Sequence, residues 1–124
     1  MAMRHGEPVF VISVAARLLE MHPQTLRKYE REGLIAPSRT TGNLRLYSDR
    51  DIERLRQVKY LVDERGLNLA GVQLALQLTN RLREARACAR GAARGEPNGS
   101  YETLAGELDA VLGMLGVQQD EGGR

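Results

Sequence analysis

The stretch from Pro23 to Gly33, led in by Met21 and His22, admits little other than a short helix with fixed ends. Proline suits the first helical turn, where its missing N–H has no partner to lose, and glycine suits the left-handed position past the last turn. His22 falls at the N-cap, where Ser, Thr, Asp or Asn is usual. Leu26, Tyr29 and Glu30 stand at i, i+3 and i+4. That spacing turns Leu26 and part of Tyr29 towards a core and leaves Gln24, Arg27, Lys28 and Arg31 outward. Glu30 and Glu32 interrupt the basic residues, so alone the helix also reads as a solvated charged face.

The flanking sequence favours a more specific use. Val9-Phe10-Val11-Ile12 is apolar and ends at Ser13, a suitable N-cap for a helix from Val14 to Leu19, with Phe10 or Ile12 as a hydrophobic staple. Glu20-Met21-His22 makes the turn into the Pro23 helix. Two short helices across a tight turn form a helix-turn-helix, the arrangement that delivers a recognition helix to a DNA major groove. Many unrelated helical pairs share this spacing. Downstream, Gly42-Asn43 is a turn signal between segments able to pair as strands. Alternation places Leu44 and Leu46 on one face of the hairpin and Arg45 and Tyr47 on the other, with Arg39 facing outward from the opposite strand. Such a hairpin is a wing suited to gripping phosphates.

Ser48 and Asp51 have capping-box spacing ahead of a helix with Ile52, Leu55, Val58, Lys59 and Val62 in register and Leu61 broadening the stripe. It closes at Gly66. Asn68 caps a further helix to about Thr79, with Leu69, Val72, Leu76 and Leu78 or Thr79 inward. From Asn80 the character changes to a narrow stripe of Leu82, Ala85, Cys88, Ala89 and Ala92 among arginines, broken by Gly91, Gly95, Pro97 and Gly99. Ser100 caps a last helix carrying Leu104, Leu108, Val111, Leu112 and Leu115. It is too short to fold alone, so it packs on its own chain or, the favoured reading, on a second protomer.

The charge is divided. Residues 1–94 hold 17 Lys and Arg against 10 Asp and Glu, whereas residues 95–124 hold 1 against 6. A basic front fits nucleic-acid binding, and the acidic tail should stay off phosphates. With 42% hydrophobic residues and no long apolar run, neither a membrane span nor a secretory leader is indicated, and a cytoplasmic protein is expected. Nothing calls for a catalytic site, cofactor or metal. There is no Gly-rich phosphate loop; His5 reads as tail and His22 as cap; and the single Cys88 supplies one ligand, so packing is its expected role.

Taken together, Ile12-Ser13-Val14-Ala15-Ala16, the run Gln24 to Ile35, Pro37-Ser38-Arg39, Gly42 to Ser48 and Asp51-Ile52 resemble the MerR family of transcription regulators. Within that family, Met21 to Arg27 and Gly66 to Val72 are similar to the heat-shock repressors. The glutamine-synthetase repressors share the second motif and fit the Met21-His22-Pro23 entry less well. The resemblance implies a mainly α fold: a winged helix-turn-helix DNA-binding domain with a small β-hairpin wing, then C-terminal helices for dimerisation. The expected organisation is a disordered lead at 1–8, the DNA-binding domain at 9–79, a dimerisation or regulatory segment at 80–117 with a loop near 95–100, and a disordered tail at 118–124. It also implies a homodimer on an inverted-repeat operator, repression of chaperone genes, and the DnaK chaperone as co-repressor.

By match to the family, Arg27 and Tyr29 are recognition-helix contacts and Arg45 and Tyr47 wing contacts, the tyrosines through their hydroxyls. Gln24, Thr25 and Lys28 join them by exposure, with Ser13, Arg31 and Arg39 completing the expected DNA-binding set. Leu46 stands where many relatives carry a second arginine. The competing readings are a MerR-like regulator of nitrogen metabolism or of a small-ligand response, and a DNA-architectural or recombination accessory protein.

Overall fold

The computed structural model describes residues 8–95 and 99–118. The lead before Pro8 with His5, the centre of the 95–100 loop and the tail beyond Gln118 lie outside the described residues. Two compact units divide the chain, 1–60 and 61–124.

The first unit begins with β1 (Pro8–Val11), followed by α1 (Ile12–Leu19), α2 (Pro23–Arg31), β2 (Ser38–Arg39), β3 (Arg45–Ser48) and most of α3 (Asp49–Asp63). The strands form an antiparallel sheet in the order β1-β3-β2, so the hairpin strand β3 is central. Sequence patterning did not identify β1; the expected hairpin gains a third strand because Val11 pairs with Leu46 and Phe10 with Tyr47. Since β1 runs straight into α1, that helix starts at Ile12 rather than Val14. Val11 takes the N-cap without a side-chain bond, and Ser13, expected as the cap, is an exposed residue within the helix.

Both helices of the pair end in the same way. At Gly33 (φ +80°), Gly33 N–H donates to Glu30 O and Leu34 N–H to Tyr29 O, both at 3.0 Å, a Schellman closure. At α1, Glu20 holds the left-handed position (φ 54°), with Met21 N–H donating to Ala16 O at 2.9 Å. A side chain there costs about 1–2 kcal/mol against glycine. Lys59 of α3 meets this end directly: its Nζ donates to Leu19 O at 2.9 Å and Glu20 O at 3.4 Å, placing a cation on the last carbonyls of α1. Arg54 Nε similarly donates to Leu34 O at 2.6 Å. Ala15, Leu19, Leu26, Leu34 and Leu55 are among the side chains buried in this unit.

The capping box is formed: Asp51 N–H donates to Ser48 Oγ and Ser48 N–H to Asp51 Oδ2, both at 3.0 Å. In the second unit α4 (Leu69–Ala93) is capped by Asn68, whose Oδ1 accepts from Gly71 N–H at 2.9 Å. The helix continues without a break through residues 79–80 and past Gly91. Leu69 and Leu78 are exposed rather than inward, while Val72, Leu76 and Thr79 are buried. Gly99, not Ser100, is the N-cap of α5 (Ser100–Met114). α4 and α5 pack as a hairpin, with Arg86 and Arg90 both bonded to Asp109 at 3.0 and 2.8 Å.

Lys59→Met keeps most of the buried stem and removes the charge on the α1 carbonyls. It should cost about 1–3 kcal/mol of stability, read as a lower urea midpoint with an unchanged m-value.

Candidate nucleic-acid interface

α2 is delivered as the sequence predicts. His22 Nδ1 accepts from Gln24 N–H at 3.0 Å, and Pro23 occupies the first turn. Leu26 is fully buried and anchors the helix. Gln24, Lys28 and Arg31 are exposed, and Thr25 and Arg27 are half-buried at its edge. Ser13 is exposed in the first turn of α1.

The wing departs from expectation in an instructive way. Its turn closes with Asn43 N–H donating to Thr40 O at 2.8 Å and Asn43 at φ 67°. Arg39 and Arg45 are cross-strand partners, like charges side by side in a position that is ordinarily unfavourable. Glu30 resolves the conflict. Its Oε2 accepts from Arg39 Nη2 at 2.8 Å and its Oε1 from Arg45 Nε at 2.6 Å, fastening both wing strands to α2. In the sequence alone Glu30 reads as an interruption of a basic face. The signal that marks it is its i+4 position from Leu26, which turns it towards the chain rather than the solvent.

Burial alone would raise the Glu30 carboxyl, but the hydrogen bonds and charges of Arg45 and Arg39 outweigh it and hold it below the ordinary value of 4.5. The same bond to Glu30 raises Arg45.

One of the expected placements is corrected. Tyr47 does share a face with Arg45, but that face turns towards α2, so Tyr47 is fully buried rather than outward. Its Oη is buried and without a hydrogen-bond partner among the described residues. Burial, reinforced by the negative charge of Glu30, pushes the phenol above its ordinary value. Tyr29, turned partly towards the core by its spacing, is 8% exposed. On the other face Leu46 is half-buried and Leu44 is exposed. The structure therefore places Ser13, Gln24, Lys28, Arg31 and Arg39 at the surface, with Thr25, Arg27 and Arg45 partly covered. Among the described residues no group of three or more His, Cys, Asp or Glu is placed to hold a metal ion.

A two-helix motif whose second helix is short, basic and outward, flanked by an arginine-bearing hairpin, defines a winged helix-turn-helix of the DNA-binding class. The family model of the MerR HTH family regulatory proteins matches residues 10–79, and the chain belongs to that family of DNA-binding transcription regulators. It is 55% identical over 80 residues to the putative heat shock protein HspR of Streptomyces coelicolor, an alignment covering 64% of this chain and 53% of that protein. It is 37% identical over 82 residues to the HTH-type transcriptional regulator GlnR of Bacillus anthracis, covering 66% and 63%. Against the HTH-type transcriptional regulator MlrA of Escherichia coli it is 37% identical over 73 residues, which is 30% of that protein. No helix among the described residues is long and apolar enough to cross a membrane.

Two measurements check this geometry. Because the Glu30 carboxyl lies lower in the folded chain than in the unfolded one, its contribution to stability is complete above pH ~4.5 and lost as pH falls through its depressed folded value. Denaturation midpoints of Glu30→Gln should accordingly show a shallower acid decline than those of the parent. Tyr47→Phe, which removes a buried hydroxyl without a partner, should hold or raise stability by up to about 1 kcal/mol and leave DNA affinity unchanged. A large loss of DNA affinity on titration would restore Tyr47 as a contact.

Proposed function

We propose that the protein is a cytoplasmic transcriptional repressor of heat-shock or chaperone genes, binding an inverted-repeat operator as a homodimer with the DnaK chaperone as co-repressor. The observation that carries the reading is the 55% identity over 80 residues to a protein named for heat shock. Residues 9–79 serve as the DNA-binding domain and residues 80–117 as the dimerisation segment.

On DNA, Arg27 offers a bidentate fork to guanine and Gln24 one to adenine, each pair discriminating by about 1–3 kcal/mol. Lys28, Arg31 and Arg45 neutralise phosphates, and the Tyr29 hydroxyl, with Thr25 and Ser13, donates to the backbone; Arg39, expected beside them, is engaged by Glu30 and Asn43. Two half-sites on one face of the duplex, about 34 Å or a multiple apart, call for two protomers. The α5 stripe supports that assembly, with one correction to the expected set. Leu112 is fully buried within its own unit, whereas Leu104 and Val111 remain 48% and 39% exposed, with Leu108 and Leu115 half-buried between them. Leu112 is therefore part of the protomer's core, and Leu104, Leu108, Val111 and Leu115 form the dimer face.

The test is a salt titration of binding to an inverted-repeat chaperone-promoter fragment and to scrambled DNA, with and without DnaK. Promoter-selective binding, strengthened by DnaK and lost in Arg27→Ala, is expected. Equal, steeply salt-dependent binding to both fragments would leave a DNA-binding regulator of another regulon. Preference for a glutamine-synthetase promoter would move the assignment to nitrogen metabolism.

A further inference from the structure

We infer that Glu30 is a positioning residue that divides the two wing arginines between two tasks, Arg39 bracing the wing and Arg45 presenting its outer nitrogens to the DNA backbone. This rests on the reading that the wing meets phosphates. The bonds are unequal atom by atom. Arg39 spends both terminal nitrogens inside the protein: Nη2 on Glu30 Oε2 at 2.8 Å, and Nη1 on the carbonyl oxygen and Oδ1 of Asn43 at 3.4 and 3.3 Å. Arg45 spends only Nε, on Glu30 Oε1 at 2.6 Å. Among the described residues Nη1 and Nη2 of Arg45 have no hydrogen-bond partner.

A guanidinium is planar, so fixing Nε fixes the plane and the direction of the terminal pair. That pair is the edge which meets a phosphate with two parallel bonds. Glu30 thus sets the orientation of Arg45 before DNA arrives and removes part of the ordering cost at binding. Glu30 and Arg45 are both partly covered, with side-chain exposures of 21% and 26%, so the difference between the arginines lies in which nitrogens are bonded and not in exposure, Arg39 keeping 34%. Arg39 closes the turn onto the same carboxylate and keeps β2 from drifting away from α2.

The opposite role for the same contact is competition, in which the carboxylate neutralises arginines that DNA must first recover. The two differ in the sign of one substitution. A carboxylate near a phosphate repels it, so Glu30→Ala should strengthen DNA binding if Glu30 competes and weaken it if Glu30 positions.

The experiment titrates the full chain with a random-sequence duplex over a range of NaCl concentrations, so the operator need not be known. Circular dichroism confirms that each variant is folded. Arg45→Ala should lower the slope of log K against log salt by about 0.9, the loss of one phosphate contact, and Arg39→Ala should leave the slope unchanged. Glu30→Ala should bind about fivefold to tenfold more weakly, in line with one charge-assisted bond left unaligned. That loss should vanish in an Arg45→Ala background and persist in an Arg31→Ala background. Glu30→Gln retains an acceptor for Nε and should recover affinity to within about twofold of the parent.

Tighter binding by Glu30→Ala or by Glu30→Gln would make the carboxylate a competitor and overturn the inference. Equal losses in the two backgrounds would do the same, because a general weakening of the fold does not single out Arg45. Should Glu30→Ala fail to fold, Glu30→Gln decides the sign alone. Absence of any salt-dependent DNA affinity in the parent chain would sink the reading of the wing itself, and that result is seen before any substitution is made.

Discussion

One carboxylate holds the DNA-facing half of this protein in shape. Glu30 lies on α2 and accepts from Arg39 on β2 and Arg45 on β3, so three elements share a fixed point. Without it, two arginines would face each other across a short hairpin whose Leu44 is already exposed. The cluster keeps one net positive charge, which is what a surface opposite a phosphate requires. Its stabilisation is modest because the groups are partly solvated; its larger effect is geometric, since it sets how far the wing stands from α2.

The rest of the first unit serves the same end from below. α1 and α2 are short, at 8 and 9 residues, and neither would persist alone. Their termini are closed by local bonds at Glu20 and Gly33, then tied to α3 by Lys59 at the end of α1 and Arg54 at Leu34 O. Long cationic stems suit this task because they cover apolar surface while the head reaches a carbonyl. α3 acts as a strut against which the angle of the two helices is set, and Leu26 and Leu55 fill the interior around it.

What the sequence disclosed and what it withheld separate by range along the chain. The His22 cap, the Gly33 closure, the Ser48–Asp51 box and the Asn68 cap all join residues at most five apart, and their chemistry reads directly from residue type and spacing. The Glu30 bonds span 9 and 15 residues, the Lys59 bond spans 40, and the Arg86 and Arg90 bonds to Asp109 span 23 and 19. None of these has a local signature. β1 belongs with them: four residues led by a proline become a strand only because Tyr47 and Leu46 offer a partner. Tyr47 shows the limit of alternation. The period of two correctly pairs it with Arg45, but which face meets the core depends on where α2 lies.

The second unit repeats the device of the first. Asp109 on α5 is bonded to Arg86 and Arg90, one turn apart on α4, just as Glu30 is bonded to two arginines opposite one another on a hairpin. In a chain where 16 of 18 basic side chains are arginine, acids placed between pairs of them supply directional fasteners that lysine would make less well. The consequences differ with what lies beside each fastener. Around Glu30 the chain is basic, with Lys28, Arg31 and Arg39 exposed and Arg27 and Arg45 half-buried. On α5 only Ala105 and Leu112 are fully covered, while Leu104, Val111 and Met114 remain open. A 15-residue helix is marginal alone, and α5 is held on α4 by Ala105 and Leu112 together with the Asp109 cluster. Its open apolar flank supports the proposed pairing of two protomers, which would couple the folding of this segment to dimer formation.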